Sequence, residues 1–484
     1  MSQLPPKEEL PEEEAPETPS PASAPLYRFV TVLFTWVVVL FGISAVQMLF
    51  VAPEFQTVEN QVAAAVRIVE RDLEVATAEA VQGGADDSAY WNSVARAAEI
   101  LAELAEVVPE EDRVDLLARR AVLEGEQGTP RAAQWILAAL DDSREAREFE
   151  RTFRRAYEGA ALSGDELTGS GQSQLLLPRS GWTRDTLTRR VTDDQRVKLE
   201  LEEATLQRGE ETRGLQRRIE LTNLALLPLG LLAAFLWWKR SSRRTQIGRG
   251  IGVPPWTGAE GLGVIVRAIV FGVGLSGVAM NFDTERDQTT ILSWMNLWLG
   301  VPMLVLAWRS LLKPNGLDFL STFGFRLAKN FDGSRRIFEL VTVTFMLLAL
   351  QQLGFTLLSA LGSLTGFEPR WSDGLVPAVI LGSEWTFGMH AIDVVVFGPL
   401  CLEIAFRGLL YTTLRTKLQP HRAALAGAVL FGLIHAVSLP SFLALVWSGY
   451  LLGLAYEKTR SLLPGIFCHM IANLSALLVF ATYR

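Results

Sequence analysis

The sequence predicts an all-α, polytopic membrane helix bundle of about nine spans, with a polar helical domain inserted between the first two. The chain has 484 residues and is 49% hydrophobic, which is too long and too apolar for a single soluble domain. Apolar runs of about 20 residues, the length that crosses a bilayer, recur along the chain. One long polar stretch, residues 52–218, separates the first of these runs from the second.

The chain begins with a segment that has no periodic apolar pattern. Residues 1–25 contain six Glu, one Lys and seven Pro. Such a composition cannot bury enough apolar surface to fold, so we expect a disordered, acidic, cytoplasmic tail. The same acidity argues against a secretory signal peptide, whose first region is basic.

The predicted spans follow this tail in chain order. The first lies at 26–51 and acts as an anchor, and a second one, with its basic flank, occupies 219–249. The remaining spans are predicted at about 261–281, 290–310, 337–361, 389–414, 423–439, 441–456 and 462–482. The last few are short, which favours a tilted bundle.

The distribution of lysine and arginine orients these spans. Lys239, Arg240, Arg243 and Arg244 directly follow the second span, and such clusters mark cytoplasmic loops. Counting from there places the N-terminus in the cytoplasm and residues 52–218 outside it. We therefore expect a multi-pass protein of the plasma or inner membrane, in contact with membrane lipid and with no nucleic-acid partner.

The polar stretch has the periodicity of short amphipathic helices. Apolar positions at helical spacing predict helices over 56–81, 93–107, 112–126 and 130–141, and a charged stalk over 193–219. Residues 164–190 are rich in Gly, Ser and Thr and predict a loop. Residues 116–135 resemble a single tetratricopeptide hairpin, and a generic helical domain is the alternative. We expect this region to be a lid, a sensor or a binding site for a protein partner.

Three pairs of side chains in the last predicted spans share one spacing. Glu403 precedes Arg407 by four residues, Phe431 precedes His435 by four, and His469 precedes Asn473 by four. On a helix each pair lies on one face, so the three faces can meet inside the bundle. Ionisable groups at membrane depth are costly and mark functional sites by default. The sequence therefore predicts a site at Glu403, Arg407, His435, His469 and Asn473.

This set of side chains is suited to hydrolysis. A carboxylate with a histidine can activate water, and an asparagine amide can stabilise an oxyanion. His435 and His469 are also candidate ligands for a divalent metal such as zinc. Their spacing is not that of the zinc-binding H-E-x-x-H helix, so a site with a metal and a site without one both stay open.

The three motifs together resemble those of the CPBP (Abi) family of intramembrane endopeptidases, which includes the CAAX prenyl endopeptidase. The family pattern is E-E-x-x-x-R, then F-x-x-x-H, then H-x-x-x-N on successive helices. Pro399, Glu403, Phe406, Arg407 and Gly408 match the first motif, and the other two pairs match the second and third. The resemblance covers about residues 261–484 and implies a peptidase acting on a membrane-associated peptide or protein.

One position departs from the family pattern. Leu402 stands where the first glutamate belongs, and the resemblance implies that this glutamate activates water together with the second-motif histidine. Glu403 is displaced from it by about 100° around the helix. Two hypotheses follow: an intramembrane peptidase in which Glu403 takes over, or a catalytically inactive membrane receptor or scaffold that works through residues 52–218. A transporter is a third, weaker alternative, because no internal repeat is visible.

Overall fold

A computed structural model describes most of the chain in separate segments. These are residues 59–83, 87–108, 110–140, 144–158, 181–241, 254–280, 294–325, 333–367, 369–370, 373–374, 377–435 and 437–484, with seven scattered positions between 31 and 46. The predicted tail and most of the predicted anchor at 26–51 lie outside the described residues. The described residues form helices and contain no strand.

The polar region forms a helical unit, here called the polar domain, over residues 59–218. Its helices are α1 (Glu59–Gly83), α2 (Asp87–Val107), α3 (Glu110–Glu126), α4 (Pro130–Ala138), α5 (Arg144–Glu158), α6 (Trp182–Val191) and the first half of α7 (Gln195–Ser241). The first four begin and end within about six residues of the predicted bounds. Alanine, valine and leucine at helical spacing form its core, and the fully buried Trp182 donates its indole N–H to Thr77 at 2.8 Å.

The prediction of a loop over 164–190 is wrong at its C-terminal end. Residues Trp182–Val191 form α6, in which Trp182, Thr183 and Leu187 are buried. The search for apolar periodicity missed this helix, because its inward face has no continuous apolar stripe. That face carries threonine and aspartate, which form hydrogen bonds with other helices. Residues 164–180 lie outside the described residues.

Helix α7 joins the polar domain to the membrane part without a break. It runs for 47 residues, so the predicted stalk and the second predicted span are one helix. Two glycines allow it to pack closely. A Cβ on Gly209 would lie 2.1 Å from the carbonyl oxygen of Glu74, and one on Gly230 would lie 2.2 Å from the Cβ of Ala349. Larger residues at these positions would force α7 away from its neighbours.

The membrane part contains the remaining helices. They are α8 (Gly258–Met280), α9 (Met295–Ala307) with a π-helical turn at Trp308–Leu312, α10 (Phe319–Thr322), α11 (Gly333–Thr365), α12 (Pro377–Leu381), α13 (Glu384–Leu414), α14 (Pro420–Leu433), α15 (Leu439–Thr459) and α16 (Leu463–Ala481). Among the described residues, six helices are long and apolar enough to span a membrane: α7, α8, α11, α13, α15 and α16. The predicted all-α membrane bundle is confirmed.

Two of the predicted spans form shorter helices. The span predicted at 290–310 is a shorter apolar helix, Asn296–Leu312. The span predicted at 423–439 corresponds to α14, which has 14 residues and ends at Leu433. Both helices pack against longer ones, α9 on α8 and α14 on α15. Each short helix therefore packs on a longer one, while Val305 of α9 and Leu425 of α14 remain exposed.

Candidate functional site

The predicted site residues come from three helices of the membrane part and the turn that follows one of them. Glu403 and Arg407 lie on α13, Phe431 lies on α14, and His469 lies on α16. His435 follows the end of α14 by two residues. These side chains meet in the interior, where Glu403 and Arg407 are almost completely buried and His469 is buried as well.

Helix α13 changes its winding at the first motif. Two π-helical segments, Asp393–Phe397 and Ile404–Tyr411, flank the α-helical turn Gly398–Glu403. π-helical segments within α-helices are frequent at functional sites because they change the direction in which side chains point. Glu403 is the last residue before the second segment, so the winding that follows it sets its position relative to Arg407.

Glu403 lies between two nitrogen-bearing side chains. Its Oε1 accepts a hydrogen bond from Arg407 Nη1 at 2.9 Å and lies 3.1 Å from His469 Nδ1. Its Oε2 is buried and has no hydrogen-bond partner, and a Cβ on Gly465 would lie 3.0 Å from it. Arg407 also donates from Nη2 to the carbonyl oxygen of Gly449 at 3.2 Å. The carboxylate is therefore fixed and its charge is compensated, as a buried ion pair requires.

The ring of Phe431 is the centre of the cluster. The Arg407 guanidinium lies 4.6 Å above it, and the His469 ring meets it edge to face at 5.8 Å. The rings of His435 and Phe406 lie 4.7 Å and 5.3 Å from it. Aromatic and cation–π contacts of this kind hold the polar groups at fixed orientations. The phenylalanine of the second motif is thus a packing platform for the other site residues.

His435 is held in one tautomer. Its Nδ1 lies 2.7 Å from the carbonyl oxygen of Phe431, and a carbonyl can only accept, so Nδ1 carries the proton. The lone pair of the neutral ring is therefore on Nε2, which is the atom that could accept a proton from water or bind a metal. No carboxylate of the described residues forms a hydrogen bond with this ring, and in particular Glu403 does not.

Asn473 is placed on the same helix as His469 but has another partner. Its Nδ2 donates to the carbonyl oxygen of Val394, in the first π-helical segment of α13, at 2.8 Å. An amide nitrogen carries two N–H groups, so one remains for a ligand. The structure therefore brings Glu403, Arg407, His435 and His469 together around Phe431, and uses Asn473 to join α16 to α13.

The residues present do not supply a three-ligand metal site. Catalytic zinc sites hold the metal with three protein side chains and leave a position for water. Within the part of the chain that the structure describes, no group of three His, Cys, Asp or Glu side chains is placed to do this. Glu403 is already engaged by Arg407 and His469. Metal binding at His435 and His469 stays a prediction, and we derive no step through a metal.

Two supporting groups escaped the sequence analysis. Asp373 accepts hydrogen bonds from the backbone N–H of Ser438 at 2.9 Å and from the hydroxyls of Ser438 and Ser441, which fixes the turn that carries His435. Gln351 on α11 donates to Ser448 at 2.5 Å and accepts from Cys468, the neighbour of His469, at 3.2 Å. A lone aspartate in a loop gives no local signal of this role. Gln351, inside the span predicted at 337–361, does give such a signal, because a buried amide needs hydrogen-bond partners.

Asp373→Ala is expected to destabilise the bundle by about 1–2 kcal/mol, because Asp373 accepts hydrogen bonds from Ser438, which precedes α15, and from Ser441 in its first turn. Thermal unfolding of the purified protein in detergent measures this loss. Asp318→Ala is the matched control, since Asp318 caps the four-residue α10 through the backbone N–H of Ser321. Asp318→Ala should leave the His435 turn resistant to proteolysis, and Asp373→Ala should not. Equal proteolysis of that turn in the two variants would contradict the role assigned to Asp373.

Comparison with known families supports the motif assignment. Residues 384–475 match the model of the family described as type II CAAX prenyl endopeptidase Rce1-like. The matched segment runs from the start of α13 into α16 and contains all five predicted site residues. This segment is therefore similar to the CAAX-type membrane protease family, as the resemblance implied. No curated protein and no solved structure matches the chain.

Proposed function

We propose that the chain is a CAAX-type family member whose intramembrane site binds a segment of a membrane-associated protein without turning it over rapidly. A single observation carries this proposal: His435, the base of the site, has no carboxylate partner among the described residues, because Glu403 is engaged elsewhere and position 402 is leucine. A neutral imidazole held only by a backbone carbonyl is a weak activator of water.

The contacts of Glu403 explain why its carboxylate is not available to His435. It shares one oxygen with Arg407 and His469, and its other oxygen faces the backbone at Gly465 in the interior. Among the described residues, Arg407 pairs with no carboxylate other than Glu403, so moving Glu403 toward His435 would leave a buried guanidinium without its counter-ion. Breaking such a buried pair costs about 3–5 kcal/mol. This cost opposes the hypothesis that Glu403 takes over from the missing glutamate.

The remaining groups fit the binding of a peptide backbone. Asn473 retains one N–H, and the Nε2 of His435 accepts, so the site offers both a donor and an acceptor to an extended chain. The same groups favour the second candidate function, an intramembrane endopeptidase. In that case His435 alone would take the proton from water, and Asn473 with His469 would stabilise the carbonyl oxygen.

Comparative mass spectrometry of protein N-termini distinguishes the two candidates. Membranes from cells carrying the native chain or His435→Ala are expected to show the same set of termini at equal protein levels. His421→Ala is the matched control, because His421 is exposed at the start of α14 and its ring bonds to Tyr450, away from the Glu403–His469 contact. Termini that depend on His435 but not on His421 would establish the endopeptidase instead and would identify its substrates.

We also propose the finer localisation given by the charge pattern. The chain is a multi-pass membrane protein, with six helices suited to spanning among the described residues. The basic residues after the second span support a cytoplasmic face there, and hence an extracytoplasmic polar domain in a plasma or inner membrane. Cysteine labelling from each side, with one cysteine introduced in the polar domain, tests this orientation.

A further inference from the structure

The turn that carries His435 lies at the level where α16 ends. Asp373 accepts a hydrogen bond from the backbone N–H of Ser438, in this turn, at 2.9 Å. The next residue, Gly374, lies beside the last turn of α16, since a Cβ on it would be 3.8 Å from the ring of Phe480. One short segment therefore connects the His435 turn to the C-terminal end of α16.

The polar domain joins the bundle at this same end. Residues 482–484 directly follow α16, and Arg67 of α1 donates to the carbonyl oxygens of Tyr483, at 3.2 Å, and Arg484. Gln216 of α7 bonds to the same segment. The His435 turn and the polar domain therefore lie on one side of the membrane part.

The protein leaves this turn uncovered. The side chain of Ile434 is 54% exposed, and His435 and Val437 are only partly buried. Exposure falls inward along the same face, because Phe431, one helical turn earlier, is 2% exposed. The second motif thus runs from the protein surface at Ile434 to the interior platform at Phe431.

The far end of the bundle, where α13 ends and α14 and α16 begin, is closed by packed side chains. Tyr411 near the end of α13, Phe323 after α10 and Leu462 before α16 are each at most 1% exposed. A Cβ on Gly408, the neighbour of Arg407, would lie 2.7 Å from the Phe323 ring. The backbone N–H of Leu462 donates to the carbonyl oxygen of Phe323 at 3.2 Å, so the chain itself seals this end.

A buried carboxylate strengthens the closed end. Glu457 on α15 is completely buried and accepts from the hydroxyl of Tyr411 at 2.8 Å and from Arg415 Nη2 at 3.2 Å. These bonds join α15 to α13 and to the residue that follows it. A ligand that came from the far end would have to break them and leave a buried charge without its partners, which is costly.

We propose that the site is entered from the side of the membrane that bears the polar domain, and that its ligand is an apolar segment of a membrane-anchored protein exposed on that side. The inference rests on the proposed function and names the class of its ligand. The exposed Ile434 offers an apolar contact at the entrance, and the Nε2 of His435 behind it accepts a hydrogen bond from a backbone N–H. Segments that emerge on the other side of the membrane meet the closed end.

Thiol labelling in sealed membrane vesicles tests the direction of entry. His435→Cys places a thiol in the site, in a background in which the two buried native cysteines are replaced by Cys401→Ser and Cys468→Ser. Val437→Cys, two residues farther along the turn, gives a second thiol that leaves the site residues intact. A charged maleimide that does not cross the membrane is the probe.

Two reference thiols define the orientation of the vesicles. Glu99→Cys is at an exposed position of the polar domain, and Lys417→Cys is at an exposed position between α13 and α14, at the closed end. We expect His435→Cys and Val437→Cys to react about tenfold faster in vesicles whose Glu99→Cys thiol faces the reagent than in inverted vesicles. Reaction from the closed end needs a local opening, and an opening of modest free energy already lowers a rate tenfold.

A pair of bulky substitutions locates the entrance. Ile434→Trp enlarges the exposed residue next to His435 and should slow the labelling of Val437→Cys. Gln419→Trp, at an exposed position of the closed end, is the matched control and should leave the rate unchanged. In both variants the rate at Glu99→Cys should stay the same, which shows that the polar domain remains folded.

Two outcomes would overturn the proposed direction. The site thiols can react at the same rate as Lys417→Cys and only when the closed end faces the reagent, which means entry from the opposite side. They can also react only with the membrane-permeant N-ethylmaleimide, which means entry through the lipid. Labelling requires neither hydrolysis nor a bound peptide, so its failure is distinguishable from failure of the proposed function, which the N-terminal mass spectrometry decides.

Discussion

Leu402→Glu is expected to give the chain a hydrolytic activity that depends on His435. Leu402 is only partly buried and directly precedes Glu403, so the new carboxylate would project from the same turn without displacing the pair with Arg407. A positioned carboxylate next to the imidazole makes His435 a competent base, and general-base catalysis contributes about 10²–10⁴-fold. The measurement is the appearance of new protein N-termini in membranes that carry the variant.

Two further variants test the chemistry of this gain. Leu402→Gln adds a side chain of the same length without a carboxylate and should leave the termini unchanged. Adding His435→Ala to Leu402→Glu should abolish the new cleavage. If Leu402→Glu and Leu402→Gln behave alike at equal protein levels, the carboxylate does not reach His435. Restoring this one glutamate would then not be enough to make the site hydrolytic.

Arg119→Ala is expected to lower the free energy of unfolding of the polar domain by about 3–5 kcal/mol, which is the cost of removing one partner of a buried ion pair. Arg119 is almost completely buried and donates to Glu70 and, at 2.9 Å, to Asp115. Glu70 is buried as well and accepts from the backbone N–H and the hydroxyl of Thr183. Without Arg119 its charge would remain in the core, where α1, α3 and α6 meet.

Thermal unfolding followed by far-UV circular dichroism, together with limited proteolysis between residues 59 and 218, measures this loss in the detergent-purified protein. Arg196→Ala is the matched control, because the Arg196–Glu200 pair spans one turn of α7 and is largely exposed. Exposed pairs of this kind contribute about 0–1 kcal/mol, so the control should unfold nearly as the native protein does. Equal effects of the two variants would show that Glu70 is solvated.

The site residues were predictable because their pattern is local. Side chains four residues apart share a helix face, and this indicated the Glu403–Arg407 pair, which the structure forms at 2.9 Å. Which helices would meet is a property of packing, so the bond between His469 and Glu403 could not be read from spacing alone. The π-helical winding after Glu403 also escaped prediction, because periodicity analysis assumes 3.6 residues per turn.

The supporting residues were harder to predict for a related reason. Asp373 acts on Ser438 across 65 positions of sequence, and Gln351 acts on Cys468 across 117. A loop aspartate and a single glutamine have many possible partners, and only the fold selects one. Helix α6 was missed because its buried face is held by hydrogen bonds to Glu70 and Arg208 and carries few apolar residues.

The unbroken helix α7 fixes the distance between the polar domain and the membrane part. A helix rises 1.5 Å per residue, so the portion from residue 195 to residue 220 alone is about 40 Å long. Because no flexible linker separates the polar domain from the bundle along this helix, the helix itself sets the distance between the two. A partner anchored in the same membrane can bind the domain only if its own contact surface stands at a matching distance from the lipid. The length of this helix would thus limit which membrane-anchored proteins could reach the domain.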